Sequence, residues 1–271
     1  MGKYFNSPVI TPLLSAAGQN AVYADGDVVF NWASFDIPRG AARIIGATIV
    51  TKKNKQASSV APIDLLFAKD GGTNTAPTNL AADNAQAWRQ IATYDKKVIG
   101  FLPGAVTDCN AESAGDGVVE IQTSSAKNLV LESDVDSGTN VGYDRYYIAG
   151  TAGGALDLRS LVALDDDVTI SGNPGTINTL DGQQPNLVFE IGDILHVQDG
   201  VELGEVASLD ANSITFKLDG STSTNHAVVL GNQTYTVPAD LAAWRTASGD
   251  LADDDLIYNI YPMRIVLHLE R

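Results

Sequence analysis

Three histidines and several acidic groups are the residues that could do chemistry in this chain, and their spacing matches no catalytic pattern. His196, His226 and His268 are far apart in sequence. His196 and His268 stand among apolar residues of predicted strands, whereas His226 stands in a polar loop. A triad or a metal cluster would need all three folded together. The chain contains no nucleophile-elbow, phosphate-loop, dinucleotide-binding or zinc-protease motif. We therefore predict no enzyme, no catalytic residue and no cofactor-binding residue.

One group of acidic residues has the spacing of a cation-binding loop. Asp108, Asn110 and Glu112 occupy alternate positions, as in calcium loops, where several hard oxygens come from one turn. In such a loop the sixth position would be Ser113 instead of glycine, and the twelfth would be Val119 instead of glutamate. These two departures exclude an EF-hand.

Two runs of aspartates, at 165–167 and 253–255, fall in predicted turns. Adjacent residues of an extended chain point to opposite faces, so three in a row do not easily ligate one ion. We predict that both runs are solvated loops, with a structural cation as the alternative. No metal-binding residue is assigned.

The cysteine and the clustered lysines have simple structural explanations. Cys109 is the only cysteine, which excludes an intrachain disulfide and a cysteine-based zinc site. No base lies near it in sequence, so we predict an incidental thiol in a polar loop. Lys52, Lys53 and Lys55 follow a predicted strand. They are expected to form a solvated hairpin tip, with contact to an acidic partner as the alternative.

The composition indicates a folded, acidic protein. The chain has 271 residues, a hydrophobic content of 44% and a formal net charge of −16. A nucleic-acid surface would need clustered basic residues to neutralise phosphates, and an anionic membrane repels an acidic surface. No apolar stretch approaches the roughly 20 residues of a membrane helix, and the first residues do not resemble a signal peptide. We therefore expect no nucleic-acid partner, no membrane and no export.

The elements that position these residues are predicted to be mostly short β-strands. Alternating or continuous apolar runs with turn residues between them predict strands at 28–35, 43–52, 63–68, 98–102, 118–123, 129–132, 143–150, 194–197, 203–209, 213–218, 228–230 and 256–269. Helices are predicted at 80–93 and 238–247. No βαβ alternation occurs, so the fold class is mainly all-β. We expect an antiparallel β-sandwich or jelly roll with an inserted small β-barrel-like domain and one or two short helices.

Changes in sequence pattern along the chain predict three parts. Residues 1–20 form an extended N-terminal arm, interrupted by Pro8 and Pro12, that we expect to pack on a neighbouring subunit. Residues 21–154 together with 248–271 form the main sandwich, because the apolar run 256–269 must return to an early strand. Residues 155–247 form the inserted domain, joined through a glycine-rich segment at 150–154.

Four stretches resemble a known group of proteins. FDIPRGAARIIGATIV (35–50), PIDLLFAKD (62–70) and LIYNIYPMRIVLHLE (256–270) resemble the β-sandwich virion proteins of tailed bacteriophages. IGDILHVQDGVELGEVASLDANSITF (191–216) is similar to small β domains found in phage head and tail proteins. The major shell protein of such phages has a long spine helix, which this sequence lacks. The resemblance therefore implies a capsid decoration (cement) protein, and it assigns no functional residue.

That resemblance also sets the expected partners and location. It implies binding to the major capsid protein and to copies of this chain, as a homo-oligomer with a trimer favoured. The location would be the outer capsid surface of the virion, after synthesis in the host cytoplasm. A tail, baseplate or fibre component is one alternative. Another class, a carbohydrate-binding or carbohydrate-active sandwich, would need a carboxylate pair or an aromatic surface. Trp32, Trp88 and Trp244 are instead expected to be separate core residues.

Overall fold

The computed structural model describes residues 3–14, 22–54, 61–69, 76–82, 84–85, 97–114, 117–131, 142–158, 160–163, 175–178, 185–197, 202–217, 226–230, 233–237, 256–259 and 261–271. These residues form mainly antiparallel β-sheets, which confirms the predicted all-β class. The strands are β1 (Tyr4–Asn6), β2 (Val28–Pro38), β3 (Ala42–Asn54), β4 (Ile63–Lys69), β5 (Val98–Leu102), β6 (Cys109–Ala114), β7 (Gly117–Leu131), β8 (Tyr143–Ala152), β9 (Leu161–Ala163), β10 (Gly175–Asn178), β11 (Ile194–Val197), β12 (Glu202–Leu209), β13 (Ser213–Lys217), β14 (His226–Leu230), β15 (Gln233–Val237), β16 (Leu256–Asn259) and β17 (Met263–Glu270). Val106–Asp108 forms a 3-10 turn and Pro185–Val188 a single α-helical turn.

Two sheets pack around the main apolar core. One has five strands in the order β1-β17-β3-β7-β6, and the other has four in the order β2-β8-β4-β5. Successive side chains of a strand point to opposite faces, so every second residue can enter the space between the sheets. Ile49 of β3, Ile265 of β17, Leu65 of β4 and Ile148 of β8 meet there. This arrangement is the sandwich that the sequence predicts.

Residues 76–82 pack on the outer face of the four-stranded sheet. Leu66 points away from the main core and packs with Val28 and Leu80 in a second apolar cluster. The predicted helix at 80–93 is wrong for its first described residues, because 80–82 are bends and Asn84 has a φ of 55°. A left-handed residue cannot continue a right-handed helix. The rest of that prediction, and the predicted helix at 238–247, lie outside the described residues.

A third sheet has six strands in the order β10-β13-β12-β11-β16-β9. Since β10 and β9 are its two edges, the sheet is open and the described strands do not close a barrel. Strands β11, β12 and β13 lie where the sequence predicts them, and β14 pairs with β15 in a separate hairpin. The proposed limits of the inserted domain, 155–247, stay a prediction.

The end of the chain contributes to two sheets. A single strand at 256–269 is predicted, and this is wrong: β16 pairs with β11 and β9, whereas β17 pairs with β3 and β1. Pro262 cannot donate a ladder hydrogen bond and restricts the backbone of Tyr261, so the apolar run divides there. The inference that the chain returns to an early strand is confirmed by the pairing of β17 with β3.

The N-terminal arm packs in its own subunit, so the expectation that it lies outside its own core is wrong for the described residues. Its strand β1 pairs with β17, and farther along Ile10 exchanges backbone hydrogen bonds with Ile265 in both directions. The side chains of Ile10 and Leu14 enter the main core. Pro8 and Pro12 prevent a helix but not an extended segment at a sheet edge, where proline is tolerated.

The predicted glycine-rich joint at 150–154 begins inside a packed strand. Gly150 belongs to β8 and pairs with Leu65. A Cβ at this position would come within 2.2 Å of the Phe30 ring, so the close approach of that ring requires glycine. The N–H of Gly153 donates to the Pro62 carbonyl at 2.8 Å. The prediction of a joining segment is therefore wrong at Gly150, which lies inside β8.

Candidate functional site

The structure places the residues with calcium-loop spacing at the start of an edge strand. Asp108 ends a 3-10 turn, whereas Asn110 and Glu112 belong to β6, which pairs along β7. The prediction that Cys109 lies in a polar loop is wrong, because pairing with β7 draws this polar segment into an edge strand. Within the described part of the chain, no group of three or more His, Cys, Asp or Glu side chains is placed to hold a metal ion.

The other predicted positions either lie outside the described residues or belong to strands. The aspartate runs 165–167 and 253–255, together with Lys55, Trp88 and Trp244, lie outside the described residues. His196 and His226 are on β11 and β14. His268 on β17 has hydrogen-bond contacts with Thr48 at 2.9 Å and Asn6 at 3.0 Å, and so links three strands of one sheet.

Lys53 and Glu120 form an ion pair inside the sandwich. The Lys53 Nζ donates to the Glu120 Oε2 at 2.6 Å, and both side chains are almost fully buried. Because β3 continues to Asn54, Lys53 points to the same inner face as Ile49 and Thr51. The prediction that Lys52 and Lys53 form a solvated hairpin tip is therefore wrong at Lys53. Burial removes water from both charges, so each depends on the other for compensation.

Gln122 continues this polar row and links the two sheets. Its Oε1 accepts from the Ile63 N–H at 2.7 Å, and its Nε2 donates to the Ile63 carbonyl at 2.9 Å. The Nε2 also donates to the Ser124 hydroxyl at 2.9 Å. Gln122 is on β7 and Ile63 begins β4, so this side-chain amide satisfies backbone groups across the sandwich. We interpret the row Lys53, Glu120 and Gln122 as structural, since buried polar groups must be hydrogen-bonded.

Cys109 lies beside this polar row and is poorly reactive. Burial, followed by the negative charges of Glu120 and Asp108, raises the pKa of the Cys109 thiol to about 11. At pH 8 the thiolate, which is the nucleophilic form, is then about 100-fold rarer than at an unperturbed thiol. The higher intrinsic nucleophilicity of a high-pKa thiolate offsets part of that difference.

Alkylation of Cys109 by iodoacetamide at pH 8 should therefore be about tenfold slower than that of glutathione. Mass spectrometry of the intact chain gives the rate, because Cys109 is the only thiol. Unfolding in urea should restore the glutathione rate. A folded-state rate equal to that of glutathione would contradict this electrostatic environment.

A second charged cluster joins the six-stranded sheet to the sandwich. Glu190 accepts hydrogen bonds from Lys52 of β3 and Arg264 of β17, and these bonds lower the pKa of its carboxyl, the Lys52 bond most. Burial raises the pKa of the Asp193 carboxyl, which accepts from the Asn259 side chain at 2.8 Å. The residues enclose a cavity of about 60 Å³. Glu190 pairs with Lys52 and Arg264 of the same chain. We therefore interpret this cluster as a structural junction.

A larger groove of about 560 Å³ lies where the arm, β2, the loop 76–82 and the segment after β16 meet. It is lined by Thr11, Leu13, Asn31, Trp32, Ala33, Asn79, Ala81, Ala82 and Tyr261. Trp32 packs against the outer apolar cluster of Val28, Leu66 and Leu80 and also lines this groove, so its prediction as a core residue is confirmed only in part. The sequence could not indicate the groove, because its walls come from four distant segments.

The arm also exposes apolar side chains beside the ones that it buries. Tyr4 is 72% exposed, Val9 58% and Leu13 50%. Ile10 and Leu14, their neighbours in sequence, are in the core. Tyr4 lies on β1, which is the edge of its sheet among the described strands, so its backbone groups are open to pairing with another strand.

Comparison with known proteins adds little. No protein family matches the sequence, and no curated protein matches it. One similar solved structure, "Structure of infectious bursal disease virus Gx strain", has 11% identity and a TM-score of 0.15. The alignment covers 99% of this chain, which spans about 40% of the length of that one. So low a TM-score carries no argument. In the described residues, no helix has the length and apolar character required to span a bilayer.

Proposed function

We propose that this chain is a non-enzymatic structural protein of a virion that binds and stabilises a phage capsid shell as a decoration protein. The sequence stretches at 35–50, 62–70, 191–216 and 256–270 that resemble phage virion proteins motivate the proposal. Its partners would be the major capsid protein and copies of itself. A tail, baseplate or fibre position is the alternative within the same structural class.

The observation that carries the proposal is the double-sided arm. One set of its side chains, Ile10 and Leu14, anchors the segment in its own core, and the other set, Tyr4, Val9 and Leu13, projects outward. Apolar side chains exposed in a row are typical of protein-binding surfaces. An edge strand in addition offers backbone donors and acceptors to a strand of another chain. The arm is therefore a surface fixed in place for contact with a second polypeptide.

The remaining features suit such a role. A shell presents many identical sites, so modest single contacts add up through avidity. A protein that binds only the assembled shell stabilises that state by mass action. The net charge of −16 disfavours non-specific adsorption to nucleic acid.

Particles produced without this protein should form shells that rupture at a lower temperature than complete particles. Adding back the purified chain should restore the rupture temperature, whereas the double variant Tyr4→Ser, Val9→Ser should restore it only at higher protein concentration. The measurement is DNA release from purified particles during a temperature ramp, followed with an intercalating dye.

Phe101→Ser, Val106→Ser is the matched control, because it replaces another exposed aromatic residue and another exposed valine. Phe101 is on β5, the far edge of the other sheet. If both double variants restored the rupture temperature at the same protein concentration, the arm would not contribute to shell binding. If particles without the protein were equally stable and the protein were found in tails, the alternative of a tail, baseplate or fibre component would be supported instead.

A further inference from the structure

We infer that the groove of about 560 Å³ beside Trp32 and Tyr261 is a binding site for a neutral saccharide. The inference does not depend on the capsid role, since it concerns the isolated chain. A volume of this size lies within the range of small-molecule sites. We define the saccharide groove by Thr11, Leu13, Asn31, Trp32, Asn79 and Tyr261.

Trp32 supplies a fixed aromatic surface on one wall. Part of its ring packs against the apolar cluster of Val28, Leu66 and Leu80, and its Nε1 donates to the Thr78 carbonyl at 3.0 Å. These contacts fix the ring and leave it partly exposed in the groove. The face of an aromatic ring is electronegative, so it attracts the weakly positive C–H groups of a sugar ring.

The segment 79–82, which also lines the groove, is held by Asn31. The Asn31 Oδ1 accepts from the Leu80 N–H at 3.0 Å, and its Nδ2 donates to the Ala81 carbonyl at 3.0 Å. This leaves Asn79 exposed at the groove, and Thr11 of the arm is exposed there too. An amide and a hydroxyl provide the donors and acceptors that sugar hydroxyls require.

Tyr261 is a second aromatic residue among those that line the groove, and it also borders the smaller cavity beside Glu190. Its N–H donates to the Asn259 Oδ1 at 2.9 Å, and Asn259 is itself buried at the junction. The ring follows β16 and precedes Pro262, whose fixed φ limits backbone movement. Hydrogen bonds within the chain thus hold Trp32, residues 80–81 and the backbone of Tyr261, which lowers the entropic cost of binding.

The charge of the groove selects the class of saccharide. The described residues that line it include no acidic or basic side chain, although the chain carries a net charge of −16. Among these described residues an anionic sugar would find no cation to pair with, and the net charge of −16 would disfavour its approach. Neutral sugars, with apolar ring faces and hydroxyl edges, match aromatic walls joined to amide and hydroxyl groups.

Saturation-transfer difference NMR on the purified chain should detect binding of at least one of maltohexaose, cellohexaose, xylohexaose and chitohexaose. Tyr261→Ala should weaken that binding by about tenfold or more, the change expected from losing one aromatic contact. Trp32→Phe, which keeps an aromatic face, should weaken it less than Trp32→Ala. Tyr143→Ala removes an exposed tyrosine outside the groove and should leave the affinity unchanged.

Thermal melts of each variant distinguish loss of the binding site from loss of folding. Asn79→Ala is included because it is a surface change that does not touch the apolar cluster. If none of the four hexasaccharides bound at a ligand concentration of roughly 5 mM, the inference would be overturned. Binding that Tyr261→Ala and Asn79→Ala both leave intact would overturn it as well. Equal binding of an oligogalacturonate would contradict the assignment to neutral sugars.

Discussion

Replacing Leu14 by alanine should lower the free energy of unfolding by about 2–5 kcal/mol, the usual cost of truncating a buried leucine. Leu14 has no exposed surface and belongs to the main core. The truncation removes apolar contacts and leaves a cavity between the sheets. A cost of this size is a large fraction of the total stability of a typical domain, about 5–15 kcal/mol. Urea titration followed by far-UV circular dichroism measures it.

Leu13 is a matched control in the adjacent position. Its side chain is 50% exposed, so Leu13→Ala should cost less than about 1 kcal/mol. The two variants have the same composition and differ only in which side of the arm is truncated. Equal stability of both would mean that the arm is not part of its own core in solution, and would support an arm that packs only on a neighbour.

Local patterns in the sequence were sufficient to predict most strands of the sandwich. Strand β5 was predicted at 98–102, where the structure has it, and β3 was predicted at 43–52 within the observed Ala42–Asn54. These segments are rich in β-branched residues and have turn residues on each side, so their own composition favours a strand. Strands β11, β12 and β13 of the six-stranded sheet were predicted for the same reason.

Strands that depend on a partner were missed. The β6 sequence, CNAESA, has little strand propensity, and it forms a strand because β7 offers a ladder along its whole length. Strand β7 was predicted as two pieces at 118–123 and 129–132, because the polar residues 124–128 separate its apolar parts. Pairing with β3 keeps it continuous. Such tertiary effects override local propensity.

The candidate sites were less predictable than the fold. The saccharide groove combines residues near positions 11, 32, 80 and 261, and no local pattern brings these together. The buried pair did leave a signal. Continuing the alternation of Ile49 and Thr51 by two residues places Lys53 on the inner face, but the strand was predicted to end at residue 52. Glu120 and Gln122 similarly share one face of β7.

Removing either partner of the Lys53–Glu120 pair should therefore destabilise the chain strongly. Lys53→Met leaves the Glu120 carboxylate buried without its ammonium partner, and we expect a loss of about 3–5 kcal/mol in the free energy of unfolding. Glu120→Gln should cost a comparable amount because it leaves the ammonium uncompensated. Urea titration at pH 7 measures both variants.

The double variant Lys53→Met, Glu120→Leu separates the cost of an unpaired charge from the net contribution of the pair. Apolar replacements of similar volume remove both desolvation penalties, so the double variant should regain most of the stability lost in the single ones. The exposed pair Arg43–Glu270, whose atoms are 3.6 Å apart, is the surface control, and Arg43→Met there should cost less than about 1 kcal/mol. Additive losses in the Lys53, Glu120 double variant would show that the two side chains do not act as a pair. A Lys53→Met chain as stable as the unsubstituted protein would show that water reaches this part of the sandwich and solvates Glu120.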